Sequence, residues 1–329
     1  MMFNCQRVCS SLIEDLPPRT KEVILRRFGL ERETRETLEA IGRDFGICRE
    51  RVRQIEKDGF LRIKPKLEKI QKVFQCFAQE LERFGGLKKE DILLSRLGGE
   101  KYKSQIYFLL TLGPNFKRVG ESDEFYSLWT VNQNSLSVAQ KVIALIYGKL
   151  KKIGKPLKLK DLINNFTGGF SEKISPIMLT SYLEISKKIQ QNSEGFFGLK
   201  DWPEINPRGI KDQAYLVFKK TGQPLHFTEV AKLIDGSLVQ TVHNELIRDP
   251  RFVLIGRGIY ALREWGYYPG EVRDIISKVL KEEGPLTKAE ILEKVLKQRL
   301  VKENTVFLNL SNKKHFLRDS QGKYIIREI

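Results

Sequence analysis

A chain of 329 residues with 41% hydrophobic residues is long enough for several compact domains and apolar enough to bury real cores, which excludes a disordered polymer. The formal net charge of +17 and pI near 9.6 set up a field that attracts polyanions and argue against an acidic-protein scaffold. Charge alone leaves DNA, RNA, the ribosome and anionic membrane surfaces open, but no apolar run approaches the ~20 residues needed to cross a bilayer.

The N-terminus, MMFNCQRVCSS, lacks the basic start and apolar core of a secretory signal, so a cytoplasmic protein is expected. Cys5 and Cys9 fall four apart in what reads as a loose terminus, Cys48 lies at a turn and Cys76 on an apolar helical stretch. With no CxxC pair and no histidine cluster, these read as isolated thiols and not as a zinc site.

Thr37 to Glu56, TLEAIGRDFGICRERVRQIE, has the pattern of a helix-turn-helix. Leu38, Ile41 and Phe45 recur at helical spacing, Thr37 is a suitable N-cap with Glu39 in the first turn, and Gly42 offers a small position where backbones approach. Gly46 can take the positive φ of the turn, Ile47 plugs the corner, and Val52 and Ile55 carry the core onto the second helix. At 100° per residue that leaves Glu50, Arg53, Gln54 and Lys57 facing outward, with Arg49 and Arg51 on the flanks. Arg and Gln can pair with guanine and adenine in the major groove and Glu can accept from cytosine; the alternative is a charged, merely solvated face.

The run LPPRTKEVILRRFGL followed by ETLEAIGRDFGICRERVRQIEKDGFLRIK resembles region 4 of sigma-70-type transcription initiation factors over about residues 12 to 66. The resemblance implies a domain that reads the upstream (minus-35) promoter element and packs on the flap of the RNA polymerase beta subunit. It puts the base and phosphate contacts on Arg49, Glu50, Arg51, Arg53 and Gln54; on the outward face read from helix geometry, Lys57 is expected to assist Arg51 on phosphates. Two departures stand out: Cys48 replaces the usual Thr or Ser, losing a good N-cap, and Asp58 stands where the family often has Lys. Neither the clamp-gripping region nor the promoter-melting aromatics of a complete sigma factor is recognisable, so the chain resembles one sigma domain.

Beyond Pro65 one order recurs four times. GGL at Gly85, GKPL at Gly154, GQPL at Gly222 and GPL at Gly284 each follow an amphipathic helix and precede another helical segment. A third helical segment comes next (SQIYFLLTL, MLTSYLEIS, VQTVHNELI, NTVFLNLS), and each unit closes on an aromatic run: Phe125–Trp129, Phe196–Trp202, Ile259–Trp265 and Lys323–Ile329. Helix, short strand, helix, helix and a two-stranded wing make a winged helix. The third copy, about residues 208–268, resembles the HARE type of winged helix, found at the start of the bacterial RNA polymerase delta subunit; the fourth does so over 270–329, and the first two share only the pattern.

The expected fold class is therefore mainly α with small β wings: a sigma region 4-like helix-turn-helix at 1–65, then tandem winged-helix domains at 66–133, 134–205, 206–268 and 269–329. In the third copy Thr241, Val242, Leu246 and Ile247 read as a mixed core side, while Gln240, His243, Asn244 and Arg248 face outward. DNA contact, protein contact and plain solvation all stay open for that face. In the fourth copy Lys302, Asn304, Asn312, Lys313 and Lys314 read as phosphate attraction, not base readout. Trp129, Trp202 and Trp265 read as seals on the wings' cores and not as stacking platforms for single strands.

His226, His243 and His315 lack nucleophile or acid partners at meaningful spacing, and the GG pairs at Gly98 and Gly168 lack the GK[ST] of a phosphate loop; His226 reads as a helix-entry or packing residue. No enzyme, cofactor, metal or small-molecule substrate is expected. The expected function is sequence-specific binding of double-stranded DNA in bacterial transcription initiation or regulation, in association with RNA polymerase. The alternative is a polymerase-associated interaction protein that docks on the beta flap, delta-subunit-like, without reading sequence.

Overall fold

The computed structural model describes residues 4–31, 34–166 and 174–327, and divides into two compact units, 1–201 and 202–329. The described residues are mostly helical with small antiparallel sheets, and no described helix is long and apolar enough to cross a membrane.

The first unit begins with four helices: α1 (Cys5–Ile13), α2 (Pro18–Phe28), α3 (Leu38–Asp44) and α4 (Arg49–Ile63). Pro18 at the first turn starts α2, and Gly29 in the left-handed region ends it, its N–H bonded to the Leu25 carbonyl. Thr37 caps α3 by accepting from the Ala40 N–H at 3.1 Å. Gly46 takes φ +64° in the turn between α3 and α4. At Gly42 a Cβ would lie 2.6 Å from the Ile47 carbonyl oxygen, so only glycine lets the turn fold back on α3. Val23, Ile41 and Val52 form the small core here, ringed by Leu38, Phe45, Ile47 and Ile55.

A 3-10 segment, Lys64–Ile70, leads to the first of four successive repeats. It comprises α5 (Gln71–Arg83), β1 (Leu87–Lys89), α6 (Glu90–Gly98), α7 (Lys103–Leu112), β2 (Lys117–Val119) and β3 (Leu128–Thr130). The second comprises α8 (Gln133–Ile153), β4 (Leu157–Lys158), α9 (Leu159–Phe166), α10 (Pro176–Glu184), β5 (Ile189–Gln191) and β6 (Phe196–Leu199). The sheets have the orders β1-β3-β2 and β4-β6-β5, so in both the last strand is central.

α1, α2 and the end of α4 share one core with the first repeat. Leu12, Leu16, Ile24, Phe28 and Ile63 are continuous with Phe74, Phe77, Ile106, Phe108 and Leu109. The Phe28 ring lies 5.8 Å from Phe60 and 5.0 Å from Phe108, and the Gln105 amide donates to the Leu30 carbonyl at 3.0 Å. Cys5 and Cys9, expected in a loose terminus, are instead buried on α1 in this core, 1% and 3% exposed. Their burial has a simple cause: α7 is apolar nearly all round and takes α1 as its cover. Burial pushes the Cys9 thiol far above its ordinary range.

The second repeat is likewise joined to the first through its third helix. On α10, Ser181 donates to the Leu87 carbonyl at 2.8 Å, Tyr182 to the Gly85 carbonyl at 3.1 Å, and Glu184 pairs with Lys88 at 2.5 Å.

The second unit carries α11 (Gly209–Thr221), β7 (Leu225–His226), α12 (Phe227–Leu233), α13 (Val239–Arg248), β8 (Phe252–Gly256) and β9 (Ile259–Leu262), with sheet order β7-β9-β8. Its last repeat has α14 (Val272–Glu283), α15 (Lys288–Gln298), α16 (Glu303–Leu310) and the hairpin β10 (Phe316–Arg318) and β11 (Tyr324–Ile326); Leu286 bridges Tyr324 in place of a first strand. His226 caps α12 in a capping box with Glu229, and Thr287 caps α15 with Glu290. Trp129 is 2% exposed, while Trp202 and Trp265 are half-buried, Trp265 lying 6.2 Å from the Phe218 ring. Gly98 ends α6 with its Cα hydrogen side against Ile106, a packing role; Gly168 lies outside the described residues, as do the last two residues of the closing run.

If the shared core holds the two segments together, Phe108→Ala should cost about 3–5 kcal/mol and lower the melting of α2–α4 along with that of the first repeat. Chemical denaturation followed by hydrogen exchange in both segments measures this, and loss of protection in the repeat alone would contradict it.

Candidate nucleic-acid interface

The residues that place α4 come from three elements. Gly59 sits against α2, where an added Cβ would meet Thr20 at 3.0 Å and Ile24 at 3.3 Å, so α4 crosses α2 closely. Arg26 on α2 donates to Glu36 at 3.1 and 2.6 Å and also bonds Asp44 on α3. These carboxylates hold its guanidinium further above its ordinary range. Arg27 pairs with Glu56 on α4 at 3.4 Å and donates to the Glu36 carbonyl at 2.9 Å. Burial nonetheless raises the Glu56 carboxyl above the usual range, the ion pair only partly offsetting desolvation. The Phe45 ring lies beneath Arg19 and Arg26, at 5.2 and 5.6 Å. Sequence reading missed this brace; the paired arginines of RRFGL were its one visible signal.

With Val52 fully buried and Ile55 partly so, α4 turns Arg49, Glu50, Arg51, Arg53, Gln54 and Lys57 outward, and all six are exposed. Arg53 holds Glu50 by two bonds of 2.9 and 2.6 Å, which keeps the Glu50 carboxyl below its ordinary range. Arg51 donates to the Gln54 side-chain oxygen at 3.1 Å. Arg49 and Lys57 make no ion pair among the described residues. Exposed pairs of this kind exchange easily for other partners, so the face is charged, ordered and available. Asp58 pairs with Arg62 at 2.9 Å, which partly cancels its charge in the last turn.

Cys48 is the N-cap of α4 in extended conformation and makes no side-chain cap bond. Cys48→Ser should supply the missing acceptor and raise stability by about 1 kcal/mol. Denaturant unfolding measures it, with no gain as the contrary result.

The third repeat departs from expectation at three positions. His243, expected to face outward, is half-buried and stacks on Phe227 with ring centroids 4.2 Å apart. Ile247 and Thr241, expected on the core side, are exposed, Ile247 by 62%. The physical reason is that α13 sends Val242 and Leu246 into the core formed with α11 and α12 and covers Phe227 with His243, which leaves Thr241 and Ile247 on the uncovered side. Gln240, Asn244 and Arg248 are exposed as expected, with the Gln240 amide donating to Asn244 at 3.1 Å. His243→Ala is therefore expected to lower the stability of this unit by roughly 0.5–1.5 kcal/mol, read by thermal unfolding, while leaving duplex affinity unchanged. In the fourth repeat Lys302 precedes α16, and Asn312 accepts from the Lys314 N–H at 3.2 Å. Among the described residues no group of three or more His, Cys, Asp or Glu is placed to hold a metal.

The pattern described as sigma-70, region 4, matches residues 12–64. The RNA polymerase sigma factor RpoD of Neisseria gonorrhoeae is 43% identical over 56 residues, 17% of this chain and 9% of that protein. The principal sigma factor HrdD of Streptomyces coelicolor is 43% identical over 53 residues, 16% of each chain. RNA polymerase sigma factor sigB of Arabidopsis thaliana is 46% identical over 55 residues, 17% of this chain and 10% of that protein. The chain thus spans only 9–16% of the length of these relatives. The stretch whose helices build the exposed arginine face is the stretch similar to sigma-70 region 4, residues 12–64.

Proposed function

We propose that this protein binds double-stranded DNA sequence-specifically in transcription initiation or its regulation, reading a minus-35-like promoter element through α4 in association with RNA polymerase. It acts in the cytoplasm and performs no catalysis. In this reading Arg49, Glu50, Arg53 and Gln54 meet base edges, Arg51 and Lys57 meet phosphates, and the four repeats are winged helices of the tandem, delta-subunit-like kind.

The observation that carries the reading is the contrast between the two sides of the helix-turn-helix. The apolar side of α2 and of the end of α4 is already covered by the first repeat, α7 included, while the exposed side of α4 carries Arg, Gln and Glu. Within residues 12–64 the large hydrophobic side chain left exposed among the described residues is Leu61, at 60%. Docking this domain on a polymerase flap through an apolar face would require α7 to leave, which is why sequence reading is favoured over docking. The same logic restricts the repeats: α7 and α10 hold the third-helix position in their repeats and spend it on contacts within the chain, so among the described residues the first two repeats present no free third helix for a groove.

The test compares a duplex carrying a minus-35 element with a scrambled duplex of equal length. Arg49→Ala or Gln54→Ala should weaken the first by about 1–3 kcal/mol more than the second, or roughly 5- to 150-fold in relative affinity. An equal loss on both duplexes would remove α4 as the reader.

A further inference from the structure

The basic charge of this chain is divided by residue type. Residues 12–64 contain ten arginines and three lysines; residues 134–201 contain eleven lysines, no arginine and five acids. Six of those lysines fall within Lys149–Lys160, GKPL and its flanks, with no acid among them. In the structure this is one turn of the chain: the last residues of α8, the left-handed cap at Gly154, β4 and the start of α9. Lys151, Lys152, Lys155, Lys158 and Lys160 are exposed and make no ion pair among the described residues.

Lys158 lies over the Phe196 ring at 5.2 Å; no contact of that kind is seen among the described residues for Lys151, Lys152, Lys155 or Lys160. Lysine in the last turn of α8 complements the helix dipole, but that effect fades within a turn and does not extend to Lys155, Lys158 or Lys160. The same turn elsewhere is neutralised. In the first repeat Lys88 is buried against Glu184 and Lys89 pairs with Asp91 at 3.0 Å; in the third Lys219 pairs with Glu264 at 2.7 Å; in the fourth Glu282 and Glu283 precede the glycine. Among the described residues only the second repeat leaves a cluster of like charges facing water at this turn, at a standing cost in repulsion that a polyanion would relieve.

We propose that this lysine turn is a second nucleic-acid contact, one that grips the phosphate backbone of duplex DNA without reading its sequence. The proposal rests on the reading of the chain as a DNA-binding protein. Residue type is consistent with it: a lysine ammonium is a point charge on a flexible stem, which attracts phosphate without the fixed two-bond geometry by which a guanidinium pairs with a guanine edge. The turn belongs to the same compact unit as α4, so arginine reading and lysine attraction are carried on one body. The turn supplies affinity and α4 supplies choice.

The experiment uses the full chain with Lys151, Lys152, Lys155 and Lys160 all changed to Gln, and a companion in which all four become Arg. Binding to the minus-35 duplex and to the scrambled duplex is titrated against salt, with folding checked by circular dichroism. Removing one lysine–phosphate interaction should flatten the slope of log affinity against log salt by about 0.9, so the Gln variant should flatten it by up to about 3.6 on both duplexes. The ratio between the duplexes should stay unchanged, and the Arg variant should keep the wild-type slope. An unchanged slope in a folded Gln variant would overturn the proposal. So would loss of binding to phosphatidylserine vesicles with duplex binding intact; Ile153, 41% exposed within the turn, makes that control necessary. If the wild-type chain binds both duplexes equally but the Gln variant still flattens the slope, the α4 reading fails and the lysine contact stands.

Discussion

The packing of α7 against α1 and α2, behind the helix-turn-helix, is the contact on which the rest of the first unit depends. Three short helices of the α2–α4 kind bury little apolar surface by themselves; Val23, Ile41 and Val52 make a core of three buried side chains. α2 carries Val23 into that small core and Ile24 and Phe28 into a much larger one, where Phe28 lies between Phe60 and Phe108. The domain therefore gains its rigidity from the first repeat, and it surrenders its apolar side in return. What remains outward is the polar face of α4.

That face is held by charge as much as by packing. Arg26 ties α2 to Glu36 before α3 and to Asp44 at its end, and Arg27 ties α2 to Glu56 on α4. These pairs set the angle between the helices, whereas Arg53 with Glu50 and Arg51 with Gln54 order the exposed side chains themselves. The first group is partly shielded from solvent and costly to break; the second is exposed and readily exchanged for base edges or phosphates. Rigid support beneath exchangeable contacts is what a reading helix requires.

Much of this was legible in the sequence because it is local. The cap at Thr37, the close approach at Gly42, the positive φ at Gly46 and the outward face of α4 all follow from spacings of ten residues or fewer. The recurring order of helices and strands was legible for the same reason, since each Gly-Leu or Gly-x-Pro-Leu step ends one helix and begins the next. The partners were not legible. The all-round apolarity of α7 announces burial without naming α1 and α2 as the cover, because Gln105 meets Leu30 and Cys9 from 75 and 96 residues away. His243 reads as exposed until Phe227 is seen beneath it, and Ile247 reads as core although the cluster around α11 leaves it out. Periodicity assigns a residue to a face; whether a neighbour covers that face is decided elsewhere in the chain.

The central claim is that α4 chooses among DNA sequences. Selection of bound duplexes from a randomised pool by the full chain, repeated with Arg49→Ala, tests it without assuming a target. The account predicts enrichment of a minus-35-like element by the wild-type chain and a relaxed consensus with the variant. Duplex binding that yields no enriched sequence, or the same consensus with and without Arg49, would contradict it.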